Sequence, residues 1–87
     1  MIKVIKFSAV WCGPCKTYDP IFSAVAEQFP DVTFEKVDIE DKPELTEKYN
    51  IRNVPTTIIE VDNEVKFRRS GVMTQLELSE EVKHSLK

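Results

Sequence analysis

The sequence predicts an α/β fold in which a mixed β-sheet carries helices on both faces. Apolar residues alternate along four short segments and recur every three to four residues along three others, in the order β-α-β-α-β-β-α. Strands joined through helices pair in parallel, whereas the last two strands are separated only by a tight turn and pair antiparallel. The 87 residues suffice for one modest core, so we expect a single domain over residues 1–87.

The first half of the chain predicts a strand, a long helix and a second strand. Ile2–Ala9 is the first strand, and Gly13–Phe29 is the helix, because its apolar residues recur at helical spacing. Pro20 falls inside this helix, where it removes one backbone hydrogen bond and favours a kink. Val32–Ile39 alternates between apolar and polar residues and is the second strand.

The second half predicts a short helix and a hairpin. Pro43–Tyr49 is the helix, with proline at its first turn, where a missing N–H costs nothing. Thr56–Val61 and Val65–Ser70 form the hairpin across Asp62 and Asn63, two residue types that tolerate positive φ.

The last helix has a recognisable start. Thr74 and Glu77 have the spacing of a capping box, in which each side chain satisfies the backbone N–H of the other residue. An apolar residue follows at every fourth position, at Leu78, Val82 and Leu86.

Composition excludes several classes of function. The chain has 12 basic and 15 acidic residues, a net charge of −3, and interspersed signs, so no basic stripe suggests a nucleic-acid surface. No apolar stretch has the length of a membrane span or a signal peptide. We therefore expect a cytoplasmic monomer that binds neither nucleic acid nor membrane.

The only two cysteines, Cys12 and Cys15, lie three residues apart at a strand-to-helix junction. Unpaired N–H groups and the helix dipole at that position stabilise a thiolate, so Cys12 is predicted to be the exposed attacking sulfur. Cys15 lies one turn inside the helix, within reach of Cys12, and we expect it to be covered. A zinc site is the alternative, but the chain offers only these two cysteines and one distant histidine, so no metal is expected within one molecule. A cluster shared between two molecules is the remaining alternative.

The chain resembles the thioredoxin family over essentially its whole length. Four segments carry this resemblance: Trp11-Cys12-Gly13-Pro14-Cys15-Lys16, Pro20, Val54-Pro55-Thr56 and Ser70-Gly71-Val72. Relative to the family pattern the sequence starts at the central strand, without the opening strand and helix. The resemblance therefore implies a minimal four-stranded sheet of order 2-1-3-4 with three helices.

The resemblance also implies function. It implies dithiol exchange through Cys12 and Cys15 that reduces disulfides in proteins, with no bound cofactor beyond the redox disulfide itself. An NADPH-dependent thioredoxin reductase-type flavoenzyme would regenerate the dithiol. The resemblance implies that the Val54-Pro55 peptide bond is cis and that the Val54 backbone faces the sulfurs. The implied substrate surface consists of Trp11, Gly13, Pro14, Val54, Pro55 and Gly71.

Gly71 and Trp11 each have a simpler interpretation. Gly71 is either a turn glycine or a glycine that allows close approach of a ligand. Trp11 is either an exposed contact residue, as the family implies, or a partly buried core aromatic.

Lys6 departs from the family pattern, which usually has a buried aspartate six residues before the first active-site cysteine. Lys36, at a family lysine position, is expected on the neighbouring strand. Two ammonium groups near the dithiol would favour thiolates, and both lysines are therefore candidate modulators of the thiol pKa. Burial of the pair would require Glu35, Glu60 or water as compensation. We expect instead that the Lys6 side chain reaches solvent along its aliphatic stem.

Two other functions compete with the thioredoxin-type activity. A glutaredoxin-like, glutathione-dependent reductase fits the small size of the chain. A non-catalytic binding module of the same fold would use the surface around Trp11, Pro55 and Gly71 and would not need the thiols.

Overall fold

A computed structural model describes all residues, Met1–Lys87, and has the predicted element order. The strands are β1 (Ile2–Ser8), β2 (Thr33–Asp38), β3 (Thr56–Val61) and β4 (Glu64–Ser70). The helices are α1 (Gly13–Gln28), α2 (Pro43–Lys48) and α3 (Gln75–Ser85). All seven elements were predicted from the sequence, and their ends differ from the predicted ones by at most one residue.

The sheet has the order β2-β1-β3-β4, which confirms the predicted topology. β1 lies in the interior of the sheet, parallel to β2 and antiparallel to β3, and β3 pairs antiparallel with β4. Asp62 and Asn63 both have positive φ, 52° and 69°, in the two-residue turn between β3 and β4. This backbone twist matches that of the flanking strands, as the sequence predicted.

The main core lies between the sheet and the two longer helices. Tyr18, Phe22 and Val25 of α1 pack with Leu78 and Val82 of α3 against the sheet. The Tyr18 hydroxyl shares a 2.6 Å hydrogen bond with the Thr57 hydroxyl of β3, so the one polar atom of this buried ring has a partner. Burial raises the pKa of Tyr18, which keeps the hydroxyl protonated. α1 is continuous through Pro20.

The opposite face of the sheet carries a smaller core beneath α2. Phe7, Val37 and Ile58 pack there with Tyr49, which directly follows α2. Burial and a hydrogen bond with Glu60 raise the pKa of Tyr49 to about 12. Because α2 has only six residues, polar side chains such as Glu60 cover part of this face.

The capping box of α3 forms as predicted. The Glu77 backbone N–H donates to the Thr74 hydroxyl at 3.1 Å, and the Thr74 N–H donates to the Glu77 carboxylate at 3.0 Å. The hydrogen bond from the Thr74 backbone lowers the pKa of Glu77. Two of the backbone donors at the start of α3 are thereby satisfied.

Candidate active site

The two cysteines lie in the short connection between β1 and α1. Cys12 is the N-cap of α1, and its Sγ accepts a hydrogen bond of 3.1 Å from the Cys15 backbone N–H. The Cys12 N–H donates to the Ala9 carbonyl at 3.1 Å, which closes the turn. No acidic residue lies in the first turn of α1, so no carboxylate there opposes the helix dipole. Negative charge on the Cys12 sulfur is therefore favoured.

Cys12 and Cys15 form a disulfide, with their Cα atoms 5.3 Å apart. The predicted redox disulfide is thus present. The predicted difference in exposure is wrong for this oxidised form, because Cys12 is 5% exposed and Cys15 is 4% exposed. Both sulfurs pack in one small cluster with Ala9, against Ile39 and Val54. In the disulfide, both sulfurs are therefore covered by the protein.

The segment before β3 borders the disulfide. The Val54 carbonyl oxygen lies 3.8 Å from the Cys12 sulfur, and the Val54-Pro55 peptide bond is cis, as the family resemblance implied. The Pro55 carbonyl accepts a 2.8 Å hydrogen bond from the Gly71 N–H. The loop after β4 is thereby held next to Pro55, so the structure brings Cys12, Val54, Pro55 and Gly71 together.

Gly71 is required by its backbone conformation. Its φ is +96°, a value that residues with a Cβ rarely adopt. A Cβ built at this position would meet no atom within 4 Å, so close packing within the chain does not explain the glycine. Of the two interpretations left open by the sequence, the turn conformation has direct structural support.

Asn53 holds these two loops together. Its side-chain oxygen accepts a 2.7 Å hydrogen bond from the Ser70 hydroxyl, and its backbone carbonyl accepts one of 2.6 Å from the Thr56 hydroxyl. The residues before Pro55 and before Gly71 are therefore cross-linked by polar contacts. The sequence analysis did not single out Asn53, because these contacts join segments that are separate in the chain.

Trp11 lies on the surface beside the disulfide and is 65% exposed. Its indole N–H donates to the Glu40 carboxylate at 3.3 Å, which tethers the ring toward the loop after β2. Gly13 and Pro14 are also exposed, at the first turn of α1. The three residues form an accessible rim around two buried sulfurs.

Lys6 does not reach solvent, so the expected outward path of its side chain is wrong. The residue is 2% exposed, and its ammonium donates to the Asp19 carboxylate of α1 at 2.5 Å. The ammonium also lies 5.6 Å from the centroid of the Phe22 ring. Neither Glu35 nor Glu60 provides the compensating charge. Lys6 stays inside because β1 directs its side chain toward α1, where a carboxylate meets it.

Asp19 binds a second lysine as well. Lys36, the Cα partner of Lys6 on β2, is 3.0 Å from the same carboxylate and donates to the Ser23 hydroxyl at 2.9 Å. Hydrogen bonds from Lys6 and Lys36 lower the pKa of Asp19. The carboxylate is therefore ionised at neutral pH, between two cations from adjacent strands.

A groove of about 490 Å³ opens beside Cys15. Its charged lining consists of Lys6, Lys16, Asp19 and Asp38, so both signs of charge meet next to the second sulfur. Asp19 and Cys15 are four residues apart on α1 and lie on the same face of that helix.

Asp19 and Glu40, like Asn53, are residues of this site that the sequence did not predict. A signal for Asp19 was available, since a residue four positions after Cys15 shares its helix face. Nothing local indicated that Glu40 would meet Trp11 across 29 positions of sequence.

The described residues contain no group of three or more His, Cys, Asp or Glu side chains arranged to hold a metal ion. No helix has the length and apolar character needed to cross a membrane.

Comparison with known proteins supports one family. The thioredoxin family model matches residues 1–84. A thioredoxin from Mycoplasmoides gallisepticum is 42% identical over 92% of this chain and 80% of its own length. A putative thioredoxin 2 from Streptomyces coelicolor is 38% identical over 88% of this chain, which spans only 58% of that relative.

Solved structures agree with these sequence matches. The thioredoxin of Fasciola hepatica superimposes with a TM-score of 0.90 and 33% identity, over 97% of this chain and 80% of that one. A mutant thioredoxin of Halobacterium salinarum gives a TM-score of 0.92 and 28% identity, over 99% of this chain and 75% of that one.

Proposed function

The chain belongs to the thioredoxin family, whose members are protein-disulfide oxidoreductases, and from this premise we propose that it reduces disulfides of other proteins through Cys12 and Cys15. One observation supports this most strongly: the two cysteines form a disulfide at the capped N-terminus of α1. The dithiol form supplies two electrons, and the disulfide is the oxidised product, so no bound cofactor takes part in the exchange.

The reaction has two steps, each of which exchanges one disulfide for another. The Cys12 thiolate attacks a sulfur of the substrate disulfide, forming a mixed disulfide and releasing one substrate thiolate. The Cys15 thiolate then attacks the Cys12 sulfur, forming the Cys12–Cys15 bond and releasing the second substrate thiolate. The two substrate thiolates take protons from solvent, which balances the protons lost by Cys12 and Cys15.

The proposed substrate surface is the rim around the disulfide. An extended substrate segment next to Cys12 would meet the backbone of Val54, whose N–H and C=O are suited to pair with another chain, while Pro55 fixes the direction of this segment. Trp11 would supply apolar area on one side, and Gly71 would border the other side. Gly13 and Pro14 would shape the approach to the sulfurs.

We further propose that an NADPH-dependent thioredoxin reductase-type flavoenzyme returns the disulfide to the dithiol. A cytoplasmic location and a monomeric state belong to the same proposal. A reducing compartment favours the return of the disulfide to the dithiol after each turnover, which supports the location. Both reacting residues lie on one chain, so the proposed reaction does not need a second copy of it.

The test is turnover of insulin disulfides by the purified protein with two electron sources, a thioredoxin reductase with NADPH and a glutathione system. We expect rapid reduction with the thioredoxin reductase and slow reduction with glutathione. The matched variants Cys12→Ser and Cys15→Ser should both abolish catalytic turnover, because the one remaining thiol cannot form the Cys12–Cys15 disulfide that completes the exchange.

Preferential turnover with glutathione would replace the proposal by the glutaredoxin-like alternative. A binding module would behave differently again: binding of its partner would persist in the Cys12→Ser/Cys15→Ser double variant, and the wild-type protein would not reduce insulin with either donor.

A further inference from the structure

The second step of the proposed exchange requires Cys15 to lose its proton, because a thiolate and not a thiol is the nucleophile. Cys15 is 4% exposed in the oxidised protein, and burial in apolar surroundings disfavours the charged form of a thiol. Cys12 has the helix N-terminus to stabilise its charge, whereas Cys15 lies inside the first turn. Another source of positive charge is needed near Cys15.

The groove beside Cys15 is lined by charged side chains of both signs from three elements. β1 contributes Lys6, α1 contributes Lys16 and Asp19, and β2 contributes Asp38. Lys36 of β2 lies behind Asp19 and binds the same carboxylate.

These charges differ in how strongly solvent screens them. The Lys6 side chain is 3% exposed, whereas the Asp19 side chain is 49% exposed and that of Lys36 is 47% exposed. Lys16 is exposed as well, and Asp38 is half-buried, with its carboxylate accepting hydrogen bonds from the backbone N–H groups of Glu40 and Asp41. Charges in contact with water act weakly on their neighbours, and a buried charge acts strongly. Among these groups, the ammonium of Lys6 therefore has the largest effect per charge on a buried thiol.

We propose that the buried Lys6–Asp19 pair controls the ionisation of Cys15, with Lys6 favouring the thiolate and Asp19 opposing it. The inference rests on the proposed thiol exchange and assigns an electrostatic role to a lysine at the position where the family pattern has an aspartate. Asp19 also compensates the charge of Lys6, which would otherwise be buried without a partner. Solvent screens the two charges of the pair unequally, and the less screened charge is the positive one on Lys6.

The affected step is the attack of Cys15 on the mixed disulfide. The proton of the Cys15 thiol leaves to water in the groove, the Cys15 sulfur bonds to the Cys12 sulfur, and the substrate sulfur departs with the electron pair of the broken bond. Lys6 stabilises the negative charge on Cys15 before the attack and neither gives nor takes a proton.

The test measures the Cys15 pKa by thiolate absorbance against pH in the reduced Cys12→Ser background, where Cys15 is the one thiol. Lys6→Met should raise the Cys15 pKa by about one unit, which lowers the thiolate fraction at neutral pH about tenfold. Asp19→Asn should lower the Cys15 pKa by a smaller amount, because it removes an opposing but screened charge. Lys36→Met is the matched control, since it removes an exposed lysine from the same carboxylate and should leave the Cys15 pKa unchanged.

A second measurement follows the resolving step itself. With Cys12 present and carrying thionitrobenzoate as a mixed disulfide, release of thionitrobenzoate reports the attack of Cys15. Lys6→Met should shift the pH profile of this release to higher pH, with the wild-type rate recovered at alkaline pH. General structural damage would not be reversed by raising the pH.

Opposite signs for Lys6→Met and Asp19→Asn are the signature of the proposal. An unchanged or lowered Cys15 pKa in Lys6→Met would overturn it, and so would an Asp19→Asn shift in the same direction as the Lys6→Met shift. Either result would leave insulin reduction by the wild-type protein unaffected, so the proposed function is tested separately.

Discussion

At the scale of single residues, the two sulfurs are similarly buried in the disulfide but occupy different positions at the start of α1. Cys12 caps α1 and accepts a hydrogen bond from the Cys15 N–H, whereas Cys15 lies one turn inside the helix. In the reduced protein this asymmetry favours the thiolate of Cys12. We therefore expect Cys12 to perform the first attack.

The variant Cys15→Ser should accumulate a stable mixed disulfide with a protein substrate, because the group that resolves it is absent. The variant Cys12→Ser should not accumulate one. Non-reducing electrophoresis after incubation with a disulfide-containing substrate measures the adduct. Alkylation of the reduced wild type at neutral pH should label Cys12 first, and initial labelling at Cys15 would contradict this order of attack.

Trp11 is the largest exposed apolar side chain beside the disulfide, and Glu40 holds its indole in place. Trp11→Ala should raise the KM for a protein disulfide roughly tenfold, since exposed aromatic residues often dominate a contact surface. A small aromatic disulfide should be reduced at the wild-type rate. Val10→Ala is the control, because Val10 is a neighbouring exposed apolar residue without the indole. Equal effects of the two variants would remove Trp11 from the substrate surface.

At the scale of elements, the chain begins its helices in different ways. α1 uses the Cys12 sulfur as its cap, and α3 uses the reciprocal bonds of Thr74 and Glu77. A sulfur cap is a weaker acceptor than oxygen, but it places the reactive atom at the positive end of the helix. The cap of α1 thus positions a reactive sulfur, whereas the cap of α3 stabilises the helix.

Thr74→Ala should lower the free energy of unfolding by about 1 kcal/mol, because it leaves a backbone donor at the start of α3 without its acceptor. Urea unfolding followed by circular dichroism measures the change. Gln75→Ala is the control, since Gln75 is exposed at the next position and makes no side-chain hydrogen bond. A loss of the same size in the control would show that removal of the cap is not responsible.

At the scale of the whole molecule, Asp19 connects α1 to β1 and β2 through Lys6 and Lys36. Hydrogen bonds from these lysines lower its pKa in the folded state below the ordinary value of 3.8. The stabilisation is therefore fully present above the unfolded-state pKa and is lost as the pH falls through the lower, folded-state pKa. Acid should weaken the packing of α1 on the sheet.

The stability of the wild type should fall steeply below about pH 4, and that of Asp19→Asn should fall less, because the amide does not titrate. Urea midpoints measured between neutral pH and about pH 2 provide the comparison. Asp31→Asn is the control, since Asp31 is exposed after the end of α1 and forms no ion pair. Parallel curves for the wild type and Asp19→Asn would contradict the linkage.

The sequence by itself determined the elements, their order and the reactive pair. Periodicity, the Thr74 capping box, the Asp62-Asn63 turn and the spacing of Cys12 and Cys15 all involve residues close in the chain, so their hydrogen bonds are local. The resemblance to a known family added the sheet order and the cis bond before Pro55.

Only the tertiary structure decided which charged side chains meet and that both sulfurs of the disulfide are covered. Lys6 donates a hydrogen bond to Asp19, which lies 13 positions away in the sequence, and Trp11 donates one to Glu40, which lies 29 positions away. The burial of Cys12 depends in part on Val54, 42 positions away. Such contacts depend on how α1 and the loops pack against the sheet. The periodic spacing of apolar residues along the chain shows which face of an element is buried, but not which residue of another element contacts a given side chain. For Lys6 the sequence predicted contact with solvent, because the carboxylate that makes its burial tolerable lies on a different element.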